Sequence, residues 1–364
     1  MRNPVGSFFG FGNNMLCRAV NEMRRGAPIV LRHDASYVLA FACELLDQQT
    51  LSVFTSFSRD ACILLTAHRA ALVSSCDALS RVNVGSMSIQ DVYSILSGAP
   101  SSVSASIEAF PSSNLLDKFA IDLVKMAKFL PSALVVDMDF ADEIAMGEWC
   151  SDNDILHFDC SMLAGYTQQY SLREVCRSDL HLQDSLTSKI VVYRSNIGEP
   201  EHYAVIIGTP NMDNPVVRLH SSCYTGDLLG SLACDCRGQL LTSVKLMGSQ
   251  EGGVILYISQ EGRGIGLANK IRAYNLQANH ALDTVDANRF LGFEDDERVF
   301  LPAACILNML GVTNLQLLTS NPNKVQAICR YGFNVTNTIP LITEPNKYNG
   351  HYIKTKQTRL GHGS

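Results

Sequence analysis

The chain has 364 residues, of which 46% are hydrophobic and 18% charged. That is too apolar for a disordered or coiled-coil protein, and at roughly 150 residues per domain it suits about two domains, each with its own core. The formal net charge of −6 excludes broad electrostatic binding to a nucleic acid backbone or an anionic membrane, while a compact basic pocket for a small polyanion stays open.

Taken in chain order, Arg2 is followed by an uncharged stretch that Pro4, Gly6, Gly10, Gly12, Asn13 and Asn14 interrupt, where a signal peptide needs a continuous apolar core. No targeting segment is read there, and a cytoplasmic protein is expected. Ala27 to Leu31, Leu51 to Phe54 and Ala133 to Val136 read as short buried strands, Leu115 to Phe129 as a helix, and the Ser- and Pro-rich Ser97 to Ser113 as a surface loop. Mixed polarity from Cys150 to Ser185 places the domain junction, giving domains 1–170 and 171–364.

Beyond Ser188 the strands come closer together. Ile190 to Tyr193 and Tyr203 to Ile207 form a pair turned at Gly198 and Glu199, followed by strands at Val216 to His220 and Val254 to Ile258. A glycine-rich stretch then leads into a helix with Leu267, Ile271, Tyr274 and Ala278 at helical spacing. Val299 to Asn323 has no charged residue and could span a bilayer by length, but Pro302, Gly311 and several Asn residues break it into a short apolar helix, a turn and a buried strand. A second short helix follows from Val325. The fold class is mixed α/β (α+β), with two domains that each hold a mixed sheet and flanking helices. Loops gathered at strand ends are where such sheets place ligands.

Of the twelve cysteines, Cys17, Cys43, Cys62, Cys76, Cys305 and Cys329 lie among apolar neighbours and read as small core residues. Cys223, Cys234 and Cys236 differ, falling within fourteen residues. Three soft thiolates suit zinc, and two readings stand: an open catalytic site with a place for water, or a closed structural site completed by His220 or His202. Because three thiolates make zinc a weak Lewis acid, a nearby base is needed, with Asp227, Asp235, Asp295 and Asp296 as candidates. Three-cysteine zinc acting on a ring carbon occurs among nucleobase deaminases, which makes a heterocycle a sensible substrate.

Glu261-Gly262-Arg263-Gly264-Ile265-Gly266 joins a strand to a helix, so its backbone N–H groups can receive phosphate oxygens while Arg263 adds a bidentate donor. Thr319, Ser320 and Lys324 form a similar arrangement after a later strand. Each loop is also compatible with a plain tight turn or a solvated lysine. Together with the thiolates they favour a phosphorylated substrate presented to a metal.

These residues carry a family resemblance. Arg218-Leu219-His220-Ser221-Ser222-Cys223-Tyr224-Thr225-Gly226-Asp227, Cys234-Asp235-Cys236 with Gln239, the run from Gln260 to Lys270, Asp283-Thr284-Val285-Asp286-Ala287-Asn288, Asp296-Glu297-Arg298 and Leu317 to Pro322 closely resemble GTP cyclohydrolase II, over about residues 171 to 364. The resemblance implies an enzyme of riboflavin biosynthesis that opens the imidazole ring of GTP at C8, releasing formate and pyrophosphate. It implies one zinc per subunit on Cys223, Cys234 and Cys236, magnesium with the triphosphate, and a homodimer. Arg218, His220, Ser221, Ser222, Gln239, Glu261, Gly262, Arg263, Thr284, Thr319 and Lys324 would surround the nucleotide, and Tyr274 would stack on the base. Asp296 matches the proton acceptor. Arg298 matches a residue assigned as nucleophile toward phosphorus, for which charge stabilisation is the simpler role because guanidinium holds its proton.

Departures accompany the match. Ser222 stands where glutamate is usual, Ala233 where arginine is usual and Ser320 where asparagine is usual, while Arg237 replaces a common glycine. A zinc-containing nucleotide-binding pseudoenzyme is therefore the alternative. The front half more faintly resembles 3,4-dihydroxy-2-butanone 4-phosphate synthase, through Ala19 to Leu31 and Pro131 to Met138. It lacks that family's Gly-His-Thr-Glu segment and has Arg32-His33-Asp34-Ala35-Ser36 in place of an acidic cluster, so a non-catalytic domain is expected.

Overall fold

A computed structural model describes residues 11–74, 76–98, 107–165, 169–183, 187–280, 282–341, 348 and 359. Arg2 to Gly10 and the middle of the Ser97 to Ser113 loop lie outside the described residues. The chain divides into two units. The first takes in the chain up to Gln169 together with Ile271–Leu282 and Asp286–Glu297, and the second takes in Tyr170–Lys270, Asp283–Val285 and the chain from Arg298 onward.

The first unit holds a seven-stranded mixed sheet of β1 (Ile29–His33), β2 (Ser36–Ala42), β3 (Cys62–Leu65), β4 (Ser80–Asn83), β5 (Phe110–Pro111), β6 (Ala133–Met138) and β7 (Leu156–Asp159), in the order β5-β4-β3-β6-β2-β1-β7. All pairs are antiparallel except β1 with β7. Successive residues of β1 and β2 feed two cores, Val30, Leu39 and Phe41 on one face and Ile29, Leu31, Val38 and Ala40 on the other. A sheet covered on both faces needs unbroken apolar strands, which is why this half reads as short hydrophobic runs. The helices Phe11–Arg25 and Leu115–Met126 cover the second face.

Leu51 to Phe54 is a correction, because it lies inside the helix Gln48–Phe57. Asp47 caps that helix by accepting from Thr50 N at 2.7 Å, and burial falls on Leu51 and Phe54, three residues apart, while Val53 is exposed. A four-residue apolar run cannot by itself separate period 2 from period 3.6. At the end of β1, Arg32 is tied to Asp159 at 2.9 Å and to Glu143.

The later segments of the first unit are pinned by named bonds. Thr66 Oγ1 donates to Gly292 O at 2.7 Å, and Arg69 donates to Phe290 O at 3.0 Å while its guanidinium sits 4.5 Å from the Phe290 ring centre. Lys125 pairs with Glu297 at 2.6 Å, and Arg272 grips Glu44 through two bonds of 3.0 and 2.9 Å.

In the second unit β8 (Leu172–Asp179), β9 (Ser188–Ser195), β10 (His202–Gly208), β11 (Val216–Ser221), β12 (Gly252–Ile258), β13 (Asn314–Leu318) and β14 (Asn334–Ile339) make another mixed sheet, in the order β14-β13-β11-β12-β10-β9-β8. The pairs β8–β9, β9–β10 and β10–β12 are antiparallel, while β12–β11, β11–β13 and β13–β14 are parallel. The uncharged run from Val299 becomes the helix Leu301–Met309 and β13, as expected. Among the described residues no helix is long and apolar enough to cross a membrane. Alternation along the central strands sends Val217, Leu219, Val254, Leu256 and Ile258 into one core. The intervening Arg218 and His220 therefore point to the opposite face, which Ile255 and Met247 of the helix Cys236–Gly248 also line.

Candidate metal and nucleotide site

Cys223 lies two residues past the C-terminal end of β11, and Tyr224–Leu228 makes a single π turn that bends the chain back under it. Cys236 opens the helix Cys236–Gly248, with Cys234 two residues before it. The three sulfurs lie within 4.8 Å of one another, and those of Cys223 and Cys234 are 3.7 Å apart. Tetrahedral ligands at about 2.3 Å from zinc stand about 3.8 Å from each other, so this spacing fits the ion. Gly226 makes the approach possible: a Cβ on it would sit 2.8 Å from Cys234 Sγ, 3.0 Å from Cys223 Sγ and 3.1 Å from Cys236 Cβ.

Among the described residues no histidine or carboxylate joins the three sulfurs. His220 faces Asp227 instead, at 3.0 Å. His202 accepts at Nδ1 from Ser259 N at 3.1 Å, which leaves Nε2 to carry its proton toward Glu199 Oε1 at 3.0 Å. The closed site completed by either histidine is thus not formed. Asp227 also leaves the set of candidate bases, since it accepts from the Tyr257 hydroxyl at 2.9 Å and from Cys223 N at 3.0 Å besides facing His220. It fixes the cysteine loop. Burial pulls the His220 imidazole below its usual value against the opposing pull of Asp227, so the ring is neutral, stacked on Tyr257 at 5.3 Å. Among the cysteines, hydrogen bonds from Cys234 and Cys236 hold Cys223 far below the usual thiol range, against burial and with help from Lys270. The same bonds push Cys234 and Cys236 up.

Basic groups ring the same strand ends. Arg218, 4% exposed, donates to Leu318 O at 3.0 Å and to Gln239 Oε1 at 2.5 Å, and Gln239 in turn donates to Asp235 at 2.8 Å. Burial lowers the Arg218 guanidinium to about 10, with Asp235 acting in the opposite direction, and among the described residues its buried Nε meets no hydrogen-bond partner. Lys324, expected as a surface lysine or a phosphate ligand, is buried and donates to Leu219 O at 2.7 Å. Thr319, also buried, accepts from Asn321 N at 3.0 Å, at the start of the helix Pro322–Arg330.

The glycine loop turns on consecutive left-handed residues, Gly262 at φ +62° and Arg263 at φ +58°. Glycine adopts this without cost, but at Arg263 it is strained, as happens at ligand sites. Glu261 accepts from Tyr224 N at 2.6 Å, tying the glycine loop to the cysteine loop. Gln260 donates to Ser221 Oγ at 3.0 Å and accepts from Val299 N at 3.2 Å, which brings the chain beside Arg298 to the same strand ends. Ser222 is half-buried and donates its backbone N–H to Ile258 O. Thr284 is half-buried at the start of Thr284–Phe290. Tyr274 and Asp296 fall in the first unit, both half-buried. Asp295, another candidate base, is paired there with Arg289 at 2.7 Å.

Sequence reasoning missed Lys270. The helix Leu267–His280 exposes Leu267 and Ile271, two of the residues at helical spacing, and its inward residues are Asn269, Lys270, Ala273 and Leu276. Lys270 Nζ lies 3.0 Å from Cys223 Sγ. The available signal was a lysine four residues after the last glycine of the loop, on the first turn of a helix whose apolar positions are sparse.

The GTP cyclohydrolase II family model matches residues 173–340. A GTP cyclohydrolase-2 of Xylella fastidiosa (strain 9a5c) is 34% identical over 361 residues, covering 97% of this chain and 88% of its own. A GTP cyclohydrolase-2 of Azospirillum brasilense is 43% identical over 247 residues, 67% of this chain and 63% of its own. A riboflavin biosynthesis protein RibBA of Endomicrobium trichonymphae is 38% identical over 251 residues, 67% of this chain and 62% of its own. The chain belongs to the GTP cyclohydrolase II family of enzymes. A solved two-domain 3,4-dihydroxy-2-butanone 4-phosphate synthase, RibBX of A. baumannii, aligns over 90% of this chain and 99% of its own at a TM-score of 0.35 and 15% identity, a likeness too loose to carry an argument.

Proposed function

We propose that this chain hydrolyses GTP at C8 of the guanine, releasing formate and pyrophosphate and leaving 2,5-diamino-6-(5-phosphoribosylamino)pyrimidin-4(3H)-one, a first step toward riboflavin. The observation that carries this reading is the trio of buried Cys223 and Cys234 with half-buried Cys236, spaced for one tetrahedral ion beside a strained glycine loop and a buried arginine. Zinc held there supplies Lewis-acid activation of water. Asp227 and Gly226 shape the loop that presents Cys223. Arg218, cationic in a buried setting and oriented by Gln239, supplies positive charge for phosphate oxygens beside the glycine loop. Magnesium accompanies the triphosphate. Asp296 as proton acceptor, Tyr274 as stacking partner, Arg298 as charge stabiliser, and Ser221, Thr284, Thr319 and Lys324 as further polar grips belong to the same reading. So do a cytoplasmic homodimer and a front half without synthase activity.

Ser222 and Ala233 favour one rival, a nucleotide-binding pseudoenzyme, because they remove a carboxylate and a guanidinium next to the sulfur ligands. The test is formate release from GTP by the purified zinc-loaded chain against a Cys234→Ala variant. Release that the variant lacks is expected. GTP binding with formate no higher than the variant's would overturn the enzymatic reading, and product analysis in the same assay would reveal hydrolysis that stops early. Dihydroxybutanone phosphate formed from ribulose 5-phosphate would overturn the reading of the front half.

A further inference from the structure

Lys270 is 8% exposed, and its ammonium donates to Cys223 Sγ at 3.0 Å, to Thr225 Oγ1 at 2.8 Å and to Glu261 Oε1 at 2.9 Å. Burying an ammonium is costly unless its donors are met, and Glu261 alone would neutralise its charge. The position is also enforced from outside: a Cβ on Gly262 would meet Lys270 Cβ at 3.0 Å, so the left-handed turn of the glycine loop wraps directly over the lysine stem. The same Glu261 carboxylate accepts from Tyr224 N and from Gly262 N, at 2.6 and 3.0 Å. One lysine thus joins a metal-ligand sulfur, the residue two positions beyond it and the loop on the neighbouring strand end.

Three thiolates on a divalent ion leave one excess negative charge, and each sulfur that donates freely weakens the ion as a Lewis acid. A cationic N–H donor on one sulfur withdraws electron density from it and restores part of that acidity, as outer partners of metal ligands do. Resting on the metal reading above, we propose that Lys270 is a positioning residue that tunes Cys223 as a metal ligand while locking the cysteine loop to the glycine loop.

The test uses the full-length chain loaded with cobalt(II) in place of zinc, compared with Lys270→Met and Lys270→Gln variants whose folding is checked by circular dichroism. Loss of the cationic donor raises the energy of the sulfur electrons, so the thiolate-to-cobalt charge-transfer band of Lys270→Met moves to longer wavelength at one cobalt per chain. Lys270→Gln, which keeps an N–H but no charge, falls between. In the zinc-loaded proteins kcat for formate release follows the same order and drops at least tenfold for Lys270→Met. Bands that superimpose on the wild type overturn the proposal. So does a glutamine variant that no longer takes up one cobalt, since the three sulfurs remain and collapse of the fold is then the simpler account. A wild-type chain that shows no thiolate band at all overturns the metal reading and this proposal with it, whereas a wild-type band with unmoved variants overturns this proposal alone.

Discussion

Replacing Gly226 by alanine tests whether the cysteine trio is built around its backbone. The added methyl would sit 2.8 Å from Cys234 Sγ and 3.0 Å from Cys223 Sγ, so the nearer sulfur must retreat by about 0.6 Å to reach the 3.4 Å at which ordinary contact begins. Ligand positions tolerate only about 0.2 Å before a zinc site loses its geometry. Overpacking typically costs ~1–3 kcal/mol. Because the displaced atoms are the ligands themselves, that cost falls on zinc binding, an expected weakening of about 5- to 150-fold. Competition with a chromophoric chelator measures the affinity, and formate release should fall in parallel at limiting zinc. A Gly226→Ala chain whose zinc affinity stays within about twofold of wild type, well below the expected span, would refute the argument.

Two further substitutions probe the scaffold of the first unit. Arg81 holds Asp117, which is fully buried, through two bonds of 2.7 Å and reaches Asp137 at 2.5 Å. Arg81→Met leaves the buried carboxylate the Ser112 hydroxyl at 2.6 Å but removes this cation, and should cost ~3–5 kcal/mol in urea unfolding; a cost under ~1 kcal/mol would show that the pair adds little net stability. Gly147 lies within the helix Glu143–Asp152, with nothing within 4 Å of where its Cβ would be. Gly147→Ala should therefore raise stability by up to ~1 kcal/mol through helix propensity, without altering zinc content, and a lower melting temperature would contradict that.

Which parts of this molecule could be read from its residues follows from what each signal depends on. The strands of the second unit were legible because Ile190 to Tyr193, Val254 to Ile258 and Leu315 to Leu318 are apolar runs bounded by turn residues, and β9, β12 and β13 cover them. The three cysteines stood out by spacing alone. Leu51 to Phe54 failed because four apolar residues fit either period, and the deciding cap from Asp47 lies outside the run. Cys329 was read as core yet is exposed, since it sits one residue past the buried stripe marked by Ile328. Lys270 was missed and Asp227 was offered as a base for a shared reason. A charged residue in sequence looks solvated or catalytic, and only the packing of β11, β12 and the glycine loop shows buried Lys270 and half-buried Asp227 both committed to holding Cys223.

The first unit is stitched from stretches far apart along the chain, with Thr66, Arg69, Lys125 and Glu44 each clasping residues numbered beyond 270. A gene that began only after codon 170 would release a product whose Phe290 ring and Arg272 guanidinium have lost the surfaces they were folded against. The front portion thus supplies the surfaces on which Ile271–Leu282 and Asp286–Glu297 fold, whatever chemistry it carries.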